Sequence, residues 1–187
     1  MPNKLRTLCL HSFRTSAAFL ELQLGSFSNV GRLLSEHCEF VYLSAPNRAA
    51  QAVEESMPES MRRLSPPPYY EWWNARDEAD GTVVYDHLDA SLQHVSDFIR
   101  REGPFDGVLG FSQGGSLAHL LCMLDREDGG LPQERPLRFS IILSARVTRH
   151  AAHAPEVVRA DFNAACILYE VARLHGWCLG SVGRAFL

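Results

Sequence analysis

The chain alternates between short, wholly apolar runs and longer stretches with a helical hydrophobic period. Lys4 to Phe13 carries Leu5, Leu8, Cys9 and Leu10 in succession, and reads as a buried strand ending at His11-Ser12-Phe13. From Ala17 to Cys38 the apolar positions Leu20, Leu24, Phe27, Val30 and Leu34 recur at helical spacing. Glu39 to Leu43 predicts a second strand, closed by Ser44-Ala45-Pro46. Val84, Leu88, Leu92, Val95 and Ile99 predict a helix over Thr82–Glu102, ended by Gly103-Pro104. Phe105 to Phe111 predicts a third strand and Gly115 to Arg126 a third helix. After a polar loop from Glu127 to Pro136, Leu137 to Ala145 predicts a fourth strand around Phe139-Ser140-Ile141-Ile142-Leu143.

Apolar strands that alternate with helices imply an α/β domain: a parallel sheet covered on both faces. Two regions break the rhythm. Residues 47–81 hold Pro58, Pro66, Pro67 and Pro68 beside Tyr69, Tyr70, Trp72 and Trp73. So many aromatics need burial, so this reads as a cap-like insertion over a pocket and not a linker. From Arg146 the pattern weakens. Ala164–Ala172 fits a strand or a helix, and 146–187 reads as a divergent tail with C-terminal strands reduced or missing. Without a further strand, Leu137–Ala145 would be an exposed apolar edge open to pairing with another chain.

The length of 187 residues favours a single domain, 1–187. With 46% hydrophobic and 21% charged residues, disorder and coiled coil are excluded as global descriptions. A net charge of −4 gives no footprint for nucleic acid or an anionic membrane. No run approaches the ~18 apolar residues of a membrane span, and the N-terminal run is too short for a signal peptide. The five cysteines, Cys9, Cys38, Cys122, Cys166 and Cys178, include no C-x-x-C pair. They read as reduced, mostly buried thiols of a cytoplasmic-type compartment, with no metal-ligand spacing.

The chemistry lies in Gly110-Phe111-Ser112-Gln113-Gly114, a G-x-S-x-G motif between a predicted strand and a predicted helix. That is the setting of a nucleophile elbow, whose sharp turn tolerates only small flanking residues. Ser112 is the candidate nucleophile, exposed at the carboxyl end of the sheet. The Gln113 N–H, at the helix start, is a candidate oxyanion donor, and the Phe13 N–H in the loop after the first strand is the second. The bland alternative makes Gly110 and Gly114 ordinary turn glycines and Ser112 a helix cap.

Three segments carry a resemblance to a known family: Leu8 to Arg14, Tyr70-Glu71-Trp72-Trp73, and Gly103 to Gly115. The chain resembles the FSH-type serine hydrolases, relatives of the ovarian-cancer-associated gene 2 protein, within the α/β-hydrolase superfamily. The likeness covers about Lys4 to Ala145. It implies an α/β-hydrolase-like fold and a carboxylesterase-type activity on acyl esters, with a small-molecule substrate and no metal or cofactor. It also makes Trp72-Trp73 a pocket wall, where simple burial is the alternative. The chain departs from the family at Ser12, where the family usually shows glycine, and after Arg146, where the usual Gly-x-x-Asp and His-Pro-Gly-Gly-His contexts are absent.

A working triad would follow the order Ser, acid, His. His119 lies on the helix after the elbow, two turns along, so its ring should point away. His150 and His153 come too soon after the fourth strand. His175 is late enough, with Asp161 or Glu170 as its acid, though ordinary surface roles for all three are the preferred reading. Arg146 and Arg149, with those two histidines, read as a solvated loop. Two functions therefore stand: a serine esterase working through a Ser112 acyl-enzyme, or an impaired or truncated homologue that keeps the pocket and binds a ligand or partner. Oligomeric state is left open.

Overall fold

The computed structural model describes residues 3–125 and 130–145, together with the backbone of two later strands. Its core is a six-stranded sheet. The strands are β1 (Leu5–Leu10), β2 (Cys38–Leu43), β7 (Gly107–Phe111), β8 (Phe139–Leu143), β9 (Ala165–Tyr169) and β10 (Ala185–Phe186), in the order β10-β9-β8-β7-β1-β2. All pairings from β2 to β9 are parallel, and β10 closes the edge antiparallel to β9.

Side chains on β1 split by parity, as a pleated strand requires. Leu8 and Leu10 enter one cluster with Val108, Val95, Ile99, Leu117 and Leu121. Cys9 enters the other with Leu20, Leu24, Leu109 and Ile141. Helices α5 (Leu88–Glu102) and α6 (Gln113–Leu124) supply the first face, and α1 (Ala17–Leu22) with the π-helical turn Gln23–Phe27 the second. Burial on both faces explains why the strands read as continuous apolar runs.

Two expectations change, and the open choice between strand and helix at Ala164–Ala172 is decided. The helix over 17–38 is interrupted: after the π turn, α2 (Asn29–Leu34) starts afresh from Ser28, because Gly25, Ser26, Ser28 and Asn29 are weak helix formers. The helix over 82–102 begins only at Leu88; Val83–Asp86 (β6) instead pairs antiparallel with Asn74–Asp77 (β5). The sheet also continues past β8. Ala165–Tyr169 is a strand in register with it, Ile141 opposite Ile167, so β8 is an interior strand and not an exposed edge.

Between β2 and α5 the chain is built of short pieces: β3 (Asn47–Arg48), α3 (Gln51–Ser56), α4 (Glu59–Leu64), β4 (Tyr70–Glu71) and the β5–β6 hairpin. Tyr69 and Trp72 are wholly buried and Trp73 nearly so. Trp73 stacks on Tyr85 with ring centroids 4.9 Å apart. Trp72 and Trp73 are therefore part of the core, in one cluster with Leu8, Leu10, Leu88 and Leu117.

Candidate active site

Gly110 on β7 lies opposite Leu10 on β1, so the chain leaves the sheet beside the end of the first strand. It then turns into α6 through Ser112, whose φ of 53° and ψ of −113° fall in a region that L-residues rarely occupy. Such a conformation costs of order 1–3 kcal/mol and persists only where its surroundings over-determine it. The Ser112 N–H donates to the Leu143 carbonyl at the end of β8, at 2.8 Å.

The glycines make this turn possible. A Cβ on Gly110 would stand 2.2 Å from the Gly114 carbonyl oxygen, and one on Gly114 only 2.1 Å from the Leu10 oxygen and 2.5 Å from that of His11. A Cβ on Gly115 would meet that of Ala145 at 2.7 Å. At Gly110 and Gly114 these are close approaches of backbone to backbone, not merely flexible turn positions.

Ser112 precedes the helix without capping it: its side chain makes no cap hydrogen bond. A serine acting as N-cap has extended backbone and spends its hydroxyl on the N2 or N3 amide. Ser112 does neither, so the helix-cap alternative fails. The first intrahelical bond is Ser116 N–H to Ser112 O at 3.0 Å, which leaves the N–H of Gln113 among the free donors of the helix start.

The Gln113 side chain is engaged elsewhere. Its Oε1 accepts the Trp72 backbone N–H at 2.9 Å, and its Nε2 donates to the Trp73 carbonyl at 2.8 Å. Phe13 lies in the loop after β1, with an exposed ring under the Arg14 guanidinium at 4.5 Å. Arg14 in turn pairs with Glu71 at 3.2 Å. The left-handed position in this loop is Arg14, with φ of 54°, and not Ser12. Serine therefore stands at position 12 without left-handed strain.

His11 is wholly buried beneath this loop. Its Nε2 accepts the Ala45 backbone N–H at 2.9 Å. A backbone N–H can only donate, so the proton sits on Nδ1 and is donated to the Ser12 carbonyl at 2.7 Å. Burial disfavours the imidazolium and brings the pKa down to about 4. His11 is thus a neutral structural ring. His119, on α6, is likewise pushed toward its neutral form by burial. His150, His153, Asp161, Glu170 and His175 lie outside the described residues, as do Arg146 and Arg149. Among the described residues no group of three or more His, Cys, Asp or Glu could hold a metal ion, and no helix is long and apolar enough to cross a membrane. Cys9, Cys38 and Cys122 are buried and unbridged.

Sequence reasoning named Ser112, Gln113 and Phe13 as candidates but did not find the hydrogen-bonded side chains around them: His11, Thr15, Trp72 and the Gln113 amide. The available signal was Trp72 itself, since a buried indole N–H needs an acceptor.

A parallel sheet sheathed by helices, with a strained serine between strand and helix at its carboxyl end, defines an α/β-hydrolase. The chain belongs to the FSH1 serine hydrolase family, whose family model matches residues 1–170. It is 32% identical over 158 residues to esterase GA18864 of Drosophila pseudoobscura pseudoobscura, covering 80% of this chain and 49% of that protein. It is 35% identical over 152 residues to esterase OVCA2 of Bos taurus, covering 75% of this chain and 63% of that one. The chain thus spans about half to just under two-thirds of the length of these curated relatives. Among solved structures, acyl-protein thioesterase 2 of Zea mays superposes with a TM-score of 0.55 at 19% identity, over 89% of this chain and 70% of that one, a likeness of fold alone.

Proposed function

We propose that the chain is a serine esterase that hydrolyses small acyl esters through a Ser112 acyl-enzyme. The observation that carries this reading is the backbone of Ser112: strained, clear of the helix cap, and at the carboxyl end of the sheet, where open α/β folds bind ligands. Family membership and the esterase names of the relatives support the same chemistry.

In this mechanism Ser112 Oγ attacks the acyl carbonyl carbon while a base takes its proton. The carbonyl oxygen becomes an oxyanion that accepts hydrogen bonds from the N–H groups of Gln113 and Phe13. Collapse expels the alcohol with the returning proton, and water attacks the acyl-enzyme by the same route. The base is proposed among residues 146–187, with His175 and either Asp161 or Glu170 as the set that the order Ser, acid, His admits. A cytoplasmic setting belongs to the same proposal, and the buried, unbridged Cys9, Cys38 and Cys122 fit it.

The test is covalent labelling by a fluorophosphonate probe, read as intact mass, on the protein and on Ser112→Ala. One adduct on the wild type and none on the variant is expected. A folded wild type that takes no label would overturn the esterase reading and favour a protein that binds an acyl ligand or partner through the same fold.

A further inference from the structure

The two proposed oxyanion donors sit on different segments, the loop after β1 and the start of α6. Their separation must hold within a fraction of an ångström to receive one oxygen atom. One residue touches the supports of both. Trp72 is wholly buried, and each of its polar groups is engaged. Its indole N–H donates to the His11 carbonyl at 2.8 Å. Its backbone N–H donates to Gln113 Oε1 at 2.9 Å. Its carbonyl accepts from Asn47 Nδ2 at 3.1 Å and from the Ser91 hydroxyl.

The His11 end of this brace leads to the Phe13 N–H through one rigid unit. The Ser12 carbonyl accepts from His11 Nδ1 at 2.7 Å and from the Thr15 hydroxyl at 2.8 Å. That carbonyl and the Phe13 N–H belong to the same planar trans peptide and point in opposite directions. Pinning the oxygen toward the buried imidazole therefore turns the N–H the other way, out of the core.

We propose that Trp72 is a positioning residue of the reaction: through the His11 carbonyl and the Gln113 side chain it sets the spacing between the Phe13 and Gln113 N–H donors. Thr15 serves the same end by fixing the plane of the Ser12–Phe13 peptide. The loop around Trp72 is then a jig for the oxyanion site. The inference rests on the esterase reading above, and the test separates the two.

The variants are Trp72→Phe, which keeps the ring but removes the indole donor, and Thr15→Val, which replaces a hydroxyl by a methyl of like size. Phe105→Leu is the control, since it also trims a wholly buried aromatic, one whose ring stacks on Phe98 just before β7, at the opposite end of that strand from Ser112. Steady-state hydrolysis of a p-nitrophenyl ester is measured at a temperature where thermal melts show each protein folded. Deleting a whole oxyanion donor costs about 100- to 1000-fold, so misaiming one should lower kcat by about 10- to 100-fold. KM should stay within about twofold in Trp72→Phe and Thr15→Val, and Phe105→Leu should keep its kcat even where its melting temperature falls as far. An active wild type whose Trp72→Phe and Thr15→Val forms keep kcat, or lose it only in step with stability, overturns the proposal alone. A wild type with no Ser112-dependent turnover overturns the esterase reading and this proposal with it. If Trp72→Phe does not fold, Thr15→Val decides by the same criterion.

Discussion

Gly114→Ala is the substitution that should break the site from within. The added Cβ would lie 2.1 Å from the Leu10 carbonyl oxygen, against an ordinary contact of 3.4 Å, so one segment must retreat by about 1.3 Å. Neither opposing atom can swing aside. Leu10 ends β1, paired with β2 on one side and β7 on the other, and the His11 carbonyl holds the Trp72 indole. The start of α6 is what has to move, and Gln113 moves with it. Overpacking against backbone belongs at the upper end of its usual range, about 3 kcal/mol. A shift of this size also exceeds what a hydrogen bond from the Gln113 N–H tolerates, so the fluorophosphonate labelling rate should fall about 100-fold. The assay pairs urea unfolding with second-order labelling kinetics in cold buffer, where the variant stays folded. Gly25→Ala is the comparator: nothing lies within 4 Å of its Cβ, so stability should hold or rise by up to about 1 kcal/mol. A Gly114→Ala protein that labels within about threefold of wild type and unfolds at the same urea concentration would refute the close-approach argument.

Gly81 in the β5–β6 turn has φ of 84° with open space around it, so Gly81→Ala should cost about 1 kcal/mol through conformation alone, with labelling unchanged, as urea midpoints would show. His11 is held neutral when folded, with its pKa down to about 4, against about 6.5 in the unfolded chain. Between those values the unfolded chain binds a proton that the native state does not. Stability therefore falls as pH drops through that window, by about 3 kcal/mol at pH 4, and unfolding curves at pH 7 and 4.5 should show a smaller loss in His11→Gln.

What the sequence made legible was local or repeated. The strands around Leu8, Val41, Leu109 and Ile141 are short and apolar because both faces of the sheet are covered, and the turn at Ser112 is a contiguous G-x-S-x-G motif whose glycines meet backbone. The β6 strand was not legible as one, because Val84, Leu88 and Leu92 fall by coincidence at helical spacing. Asp80-Gly81 just before it was the overlooked hairpin signal. The braces of the site were out of reach for a different reason. Trp72 meets His11 across 61 positions and Gln113 across 41, and no periodicity encodes contacts of that separation.

The strain at Ser112 and the rigidity around it have one source. Three segments converge on the turn: the end of β1 presses on Gly114, the Leu143 carbonyl at the end of β8 takes the Ser112 N–H, and Ala145 closes on Gly115. If Ser112 took an ordinary extended N-cap conformation, its hydroxyl could turn back onto the helix, but the chain could not satisfy all three contacts at once. The sheet and helix thus impose a conformation that keeps the hydroxyl from the one intramolecular role a serine before a helix would otherwise take. The cost of order 1–3 kcal/mol is offset by packing that the fold makes in any case. On this argument the serine stands clear of the helix because the scaffold leaves it no other conformation, while the brace through Trp72 governs a separate quantity, where the N–H groups beside it point.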